Sequence, residues 1–156
     1  MTAAPADRVA AHPFLAGLAP GHRDALAAEA TAVSFPAGAR VFAEGSGADR
    51  FWLLESGGVA LDMPVPGRGD VVVETLVGPT VLGWSWLYPP YRWHFGAVAR
   101  EPSVALAFDA GSVRRRCETD PSFGYAVLNL FAPVIIARLQ ATRLRMLDLY
   151  APRPAP

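Results

Sequence analysis

At 156 residues, 52% of them hydrophobic and 18% charged, the chain has material for one packed domain and is no disordered polymer. Its 14 basic residues balance its 14 acidic ones, so bulk charge gives no support for a nucleic-acid partner. All 14 are arginine, which excludes a lysine Schiff base or a P-loop, and the single cysteine, Cys117, excludes an internal disulfide and a cysteine-rich zinc site.

In chain order, residues 1–12 are alanine-rich and expected to be flexible, with no apolar signal core in MTAAPADRVAAHP. Pro20 to Ala32 reads as a helix, with Leu15, Leu18 and Leu26 available to pack inward. From Val33 to Phe108 the texture becomes short apolar or alternating runs: Arg40–Phe42, Phe51–Leu54, Val59–Met63, Val71–Val77, Ala97–Ala99 and Val104–Phe108. Gly, Pro, Ser and Asp punctuate them, which favours a roll, sandwich or barrel over a parallel α/β sheet.

The last third turns helical. A short helix is expected over Ala110 to Cys117, where Arg114, Arg115 and Arg116 read as a solvated face. A long one is expected over residues 122–150, followed by a disordered tail at 151–156. Heptad counting places Leu128, Ile135, Thr142 and Leu149 on one row and Tyr125, Ala132, Leu139 and Met146 on the next. That seam predicts a parallel homodimer helix. Pro133 falls inside it and is expected to kink the helix or mark a later start. The longest apolar stretch, around Ala126 to Ala137, is interrupted by Asn129 and Pro133 and reads as too short to span a bilayer. A cytoplasmic location with no membrane association follows as the expectation.

The stretch SFPAGARVFAEGSGADRFWLLESGGVAL carries glycines at Gly38, Gly45 and Gly57, spaced by apolar positions Val41, Phe42, Trp52, Leu54 and Val59. This rhythm resembles the opening of cyclic-nucleotide-binding domains of catabolite-activator and FNR-type regulators, kinase regulatory subunits and gated channels. The resemblance implies a double-stranded β-helix (jelly-roll) fold, mainly β, with N-terminal helices and a long C-terminal helix. Its domain would span residues 13–121, with 122–150 as dimerisation and signalling helix. The three glycines are expected at turns with positive φ or close backbone approach.

In that family a phosphate-binding segment runs Gly-Glu, short helix, Arg-Ser/Thr-Ala. Here VLGWSWLYPPYRWHFGAVARE keeps the glycine as Gly83 but puts Trp84 at the Glu position and Trp93 and His94 at the Arg and Ser/Thr positions. Arg92 stands one residue early, where a shifted loop could still bring it to a phosphate. An indole donates only, so Trp84 cannot accept from a ribose hydroxyl. The resemblance therefore implies a regulatory ligand-binding module whose site is Gly83, Trp84, Ser85, Trp86, Tyr91, Arg92, Trp93 and His94. That aromatic-rich pocket would not take cAMP in the family's usual mode. A cyclic nucleotide or another small molecule remains the expected ligand. Two alternatives stand beside it: a haem sensor ligated by His94 or Cys117, and a scaffold with a filled pocket that docks a protein partner. The scattered His12, His22 and His94 form no catalytic spacing, so an enzyme is not expected, and no helix-turn-helix is seen that would read nucleic acid directly.

Overall fold

The structure is a computed structural model describing residues 2–152, 154 and 155. Met1, Arg153 and Pro156, within the segments expected to be loose, lie outside the described residues. The chain runs α1 (Pro5–Ala11), a 3-10 turn Pro13–Leu15, α2 (Pro20–Ala27), then β1 (Thr31–Phe35), β2 (Arg40–Phe42), β3 (Arg50–Ser56), β4 (Gly58–Val65) and β5 (Gly69–Val77). β6 (Thr80–Leu82), a 3-10 turn Ser85–Leu87, β7 (Gly96–Ala99), β8 (Ser103–Asp109), α3 (Ala110–Thr119) and α4 (Pro121–Tyr150) complete it.

The strands form two four-stranded antiparallel sheets, ordered β1-β8-β3-β6 and β2-β7-β4-β5. Alternation along β3 sends neighbouring side chains to opposite faces of the first sheet. Trp52 meets Phe35, Phe42 and Trp93 inside the roll, while Phe51 meets Trp86, Phe108 and Phe131 on the helical side. Leu53 and Leu54 are both 0% exposed, so both faces of this central strand are covered. Gly38, Gly45 and Gly57 all have positive φ, as the sequence requires. At Gly57 the reason is also steric, because a Cβ there would sit 2.6 Å from the Ser103 Cα.

Two expectations are corrected at the N-terminus. Residues 5–11 are not loose: they form α1, whose Val9 is fully buried, and Arg8 pairs with Glu55 of β3. His12 is buried too, its Nε2 lying 2.9 Å from the Leu54 carbonyl. Alanines disguise this helix because its only large apolar anchor is Val9. The second helix also stops at Ala27 rather than Ala32, since the chain is already β1 at Thr31.

α3 and α4 begin on aspartate caps, with Asp109 accepting from the Ser112 amide at 2.7 Å and Asp120 from the Phe123 amide at 3.3 Å. α4 starts at Pro121, the first-turn position a proline tolerates, and continues through Pro133 rather than starting after it. Its first half buries Phe123, Val127 and Phe131. Gly124 lets it approach α3: a Cβ there would lie 2.7 Å from the Cys117 carbonyl oxygen. The second half leans on β5, the outer strand of its sheet, through polar contacts. Arg138 Nη1 donates to both Glu74 carboxylate oxygens at 2.9 Å, Arg145 Nε to the Val72 carbonyl at 3.1 Å, and Arg68 to the Leu149 carbonyl at 3.3 Å. By length and composition alone, the 30-residue α4 holds an 18-residue window apolar enough to cross a membrane, with a mean hydropathy of 1.5. Its buried aromatics and the Arg138–Glu74 pair tie it to the roll instead.

Candidate functional site

The segment between β6 and β7 is the candidate site. Gly83 closes β6 at φ 96°, a left-handed value that costs a side-chain-bearing residue energy. It also faces an indole: a Cβ at 83 would meet the Trp93 ring at 2.7 Å. Trp93 is 4% exposed and stacks on Phe42 with 3.9 Å between centroids, with Trp52 5.9 Å away on the same pile. The roll interior beneath Gly83 is therefore occupied by aromatic carbon. Outside the pile remains an open cleft of about 300 Å³ rimmed by Ser46, Asp49 and Arg50.

The eight residues expected to form one pocket separate into several places. Trp86 is fully buried on the helical side, stacked on Phe51 at 4.5 Å and edge-on to Phe131 at 5.2 Å. Its Nε1 has no hydrogen-bond partner among the described residues. Trp84 stacks on His94 at 4.8 Å, and Ser85 Oγ lies 2.9 Å from His94 Nδ1, so these three do form one cluster, with His94 facing solvent. Arg92 is exposed and donates to the Gly45 carbonyl at 2.9 Å. Tyr91 adopts φ 54° and carries the Arg114 guanidinium 4.1 Å above its ring. The single aromatic-lined pocket is thus corrected: strand and turn geometry aim Trp86 and Trp93 at opposite faces of the first sheet.

A groove that sequence reasoning missed lies between this segment, α3 and α4. It has a volume of about 370 Å³ and is lined by Leu87, Tyr91, Arg114, Cys117, Tyr125 and Leu128, among others. Arg114 is not part of a free solvated face, since it also donates to the Trp86 carbonyl at 2.6 Å. Burial pushes the Cys117 thiol up from its ordinary value, with nearby Glu118 and Asp120 adding to the effect, so the neutral thiol is favoured. His94 does not line this groove, so the two haem-ligand candidates are not brought together there. Among the described residues no group of three or more His, Cys, Asp or Glu side chains could hold a metal ion. At the rim of the roll Arg40 pairs with Asp62 at 2.7 Å, and the Asp62 hydrogen bond raises the Arg40 guanidinium further. Gly96 makes room for that pair, since a Cβ would fall 2.2 Å from Asp62 Oδ1.

Two antiparallel sheets closed as a roll, helices at both ends and a turn segment at the roll's mouth define a regulatory-type β-roll domain. The family pattern of the cyclic nucleotide-binding domain matches residues 32–120, and the chain belongs to that family. Among solved structures it is similar to a proposed cyclic nucleotide-binding protein from Geobacter metallireducens GS-15, at 28% identity and TM-score 0.77, covering 88% of this chain and 99% of that one. It is also similar to the Thermus thermophilus catabolite activator protein, at 25% identity and TM-score 0.62, covering 88% of this chain and 60% of that one. A cyclic nucleotide-binding domain from Methylobacillus flagellatus KT shares the fold at TM-score 0.77 and 15% identity, over 97% of this chain and 85% of that one. Compared with curated proteins, the chain matches none.

Proposed function

We propose that this chain is a non-enzymatic regulatory module that keeps the family's roll but holds its interior shut, and that acts by association through α4. The observation that carries this reading is Trp93: its ring lies under Gly83 and on Phe42 at 3.9 Å, in the segment where the family resemblance places a phosphate-pairing arginine. A cyclic nucleotide entering there would have to displace two stacked rings and would meet no free cation from Arg92. Hydrogen bonds to charged partners contribute about 1.5–3 kcal/mol each, so the missing anchors remove the energy that would drive the displacement. Support for association comes from α4, where Tyr125, Ile136, Leu139, Leu147 and Tyr150 are each more than half exposed.

The test is thermal unfolding with and without millimolar cAMP, cGMP and AMP. A ligand at about 100 times its dissociation constant adds roughly 2.7 kcal/mol of stability. No shift is expected, and a clear shift with any of the three overturns the closed interior. A second reading is favoured by the groove beside Cys117: a flat, largely apolar small molecule seated there, against Tyr91 and Tyr125, would touch both the turn segment and α4. A protein-wide screen of apolar compounds by the same melt, lost in a Tyr125→Ala variant, is its check. Haem ligation is supported least, and a colourless protein that gains no Soret band with added hemin removes it.

A further inference from the structure

The groove between the turn segment, α3 and α4 carries two opposite charges that no ion pair within the chain uses. Arg114 and Glu118 both line it, four residues apart on α3. Helical geometry puts their Cβ atoms about 5–6 Å apart on one face. Neither forms a salt bridge among the described residues, with the other or with any third group. Cation before anion is the less favourable order along a helix, and Arg114 is drawn elsewhere. Its Nη1 donates to the Trp86 carbonyl at 2.6 Å, and its guanidinium lies 4.1 Å over the Tyr91 ring. A guanidinium has five N–H donors, and this is the one hydrogen bond it makes among the described residues. The rest remain for an anion.

The walls around this pair are aromatic and aliphatic: Leu87 and Tyr91 come from the turn segment, Tyr125 and Leu128 from α4. Tyr125 is 69% exposed and Leu128 41%, so the α4 wall is not filled by the chain's own packing. Tyr91 is the only non-glycine residue with positive φ among those described, and backbone strain of this kind concentrates at ligand clamps. The Cys117 thiol, also in the lining, brings no charge at neutral pH, because burial pushes it up. A volume of about 370 Å³ falls within the range of small-molecule sites. A purely apolar guest would leave both charges unused. A carboxylic acid would meet Glu118, and an amine would meet Arg114. A zwitterion answers both. We infer that the groove is a site for a free aromatic amino acid, its carboxylate on Arg114, its ammonium on Glu118 and its ring between Tyr91 and Tyr125. This rests on the groove reading given above and names its ligand class.

The experiment is calorimetric titration of the full chain with L-phenylalanine, beside 3-phenylpropionate, phenethylamine and toluene. Saturable binding of L-phenylalanine is expected, with each analogue weaker by about tenfold or more. Arg114 also holds the Trp86 carbonyl, so the variant least able to disturb the fold is Glu118→Gln, whose side chain is exposed. It should weaken L-phenylalanine about fivefold and leave 3-phenylpropionate no weaker. Tyr125→Ala should weaken L-phenylalanine as well, and a melting curve of each variant checks the fold. Any analogue that binds as tightly as L-phenylalanine, and loses its binding in Tyr125→Ala, overturns the amino-acid class and leaves the groove reading standing. Binding of L-phenylalanine that both variants leave unchanged overturns its assignment to this groove. No saturable heat with any of the four compounds overturns the inference and the groove reading together.

Discussion

Phe51 and Trp52 are neighbours on one strand, yet they build two aromatic clusters with different roles. On the helical side, Phe51, Trp86, Phe108 and Phe131 are each no more than 2% exposed and join β3, β8, α4 and the turn segment into one body. Inside the roll, Phe35, Phe42, Trp52 and Trp93 stack toward an open cleft. The first cluster is core that any such fold needs. The second, on the proposed reading, is core placed where a polar ligand and its cation would otherwise be. The same residue type therefore reads as scaffold on one side and, under the proposed function, as a closed interior on the other.

Substitutions separate the clusters. Phe131→Ala is expected to cost most, about 3–5 kcal/mol, because Phe131 contacts Phe14, Phe51 and Trp86 edge-on and no solvent can relax the hole. Chemical denaturation measures it, and a loss under 1 kcal/mol would dissolve the distinction. Trp93→Ala should cost less, about 2–3 kcal/mol, since its ring borders a cleft on one side. That variant, unlike the wild type, should be stabilised by millimolar indole, as an apolar cavity accepts an apolar guest.

Glu74→Gln comes next. It leaves Arg138, 9% exposed, without its carboxylate while Glu74 itself is part-exposed, so a loss of about 1–2 kcal/mol is expected. That loss should fall mainly on α4 beyond Pro133, read as faster hydrogen exchange there than over 121–132. The smallest effect is chemical. The folded Cys117 thiol sits above its ordinary value, so native protein should react with iodoacetamide more slowly than unfolded chain at pH 8.5. The sign follows: Cys117 supports the fold at neutral pH, and that support fades as pH rises through the raised value.

The glycine rhythm from Gly38 to Gly57 made the roll legible, because those backbone conformations admit few other residues. β6 was not read, being three residues caught between Pro79 and Gly83 with no room for alternation to show. α1 was missed because one valine does all its anchoring. In the site, sequence adjacency suggested that Trp84, Trp86 and Trp93 share one wall. Adjacency carries no direction across a turn: the 3-10 turn at Ser85–Leu87 places Trp86 against Phe51, while backbone hydrogen bonds of Trp93 with Gly45 and Ser46 hold its ring on Phe42. The Arg138–Glu74 pair, 64 positions apart, has no local signature at all. On the open side of α4 lies one of the two rows counted by heptads, Tyr125, Ala132, Leu139 and Met146, whereas Ile135, Thr142 and Leu149 of the other row are half-buried.

The central claim is a closed roll, and calorimetric titration of the full chain with cAMP tests it most directly. No saturable heat up to millimolar cAMP is predicted for the wild type. Saturable binding in the micromolar range would mean that the Trp93 stack yields to nucleotide, and would contradict the account.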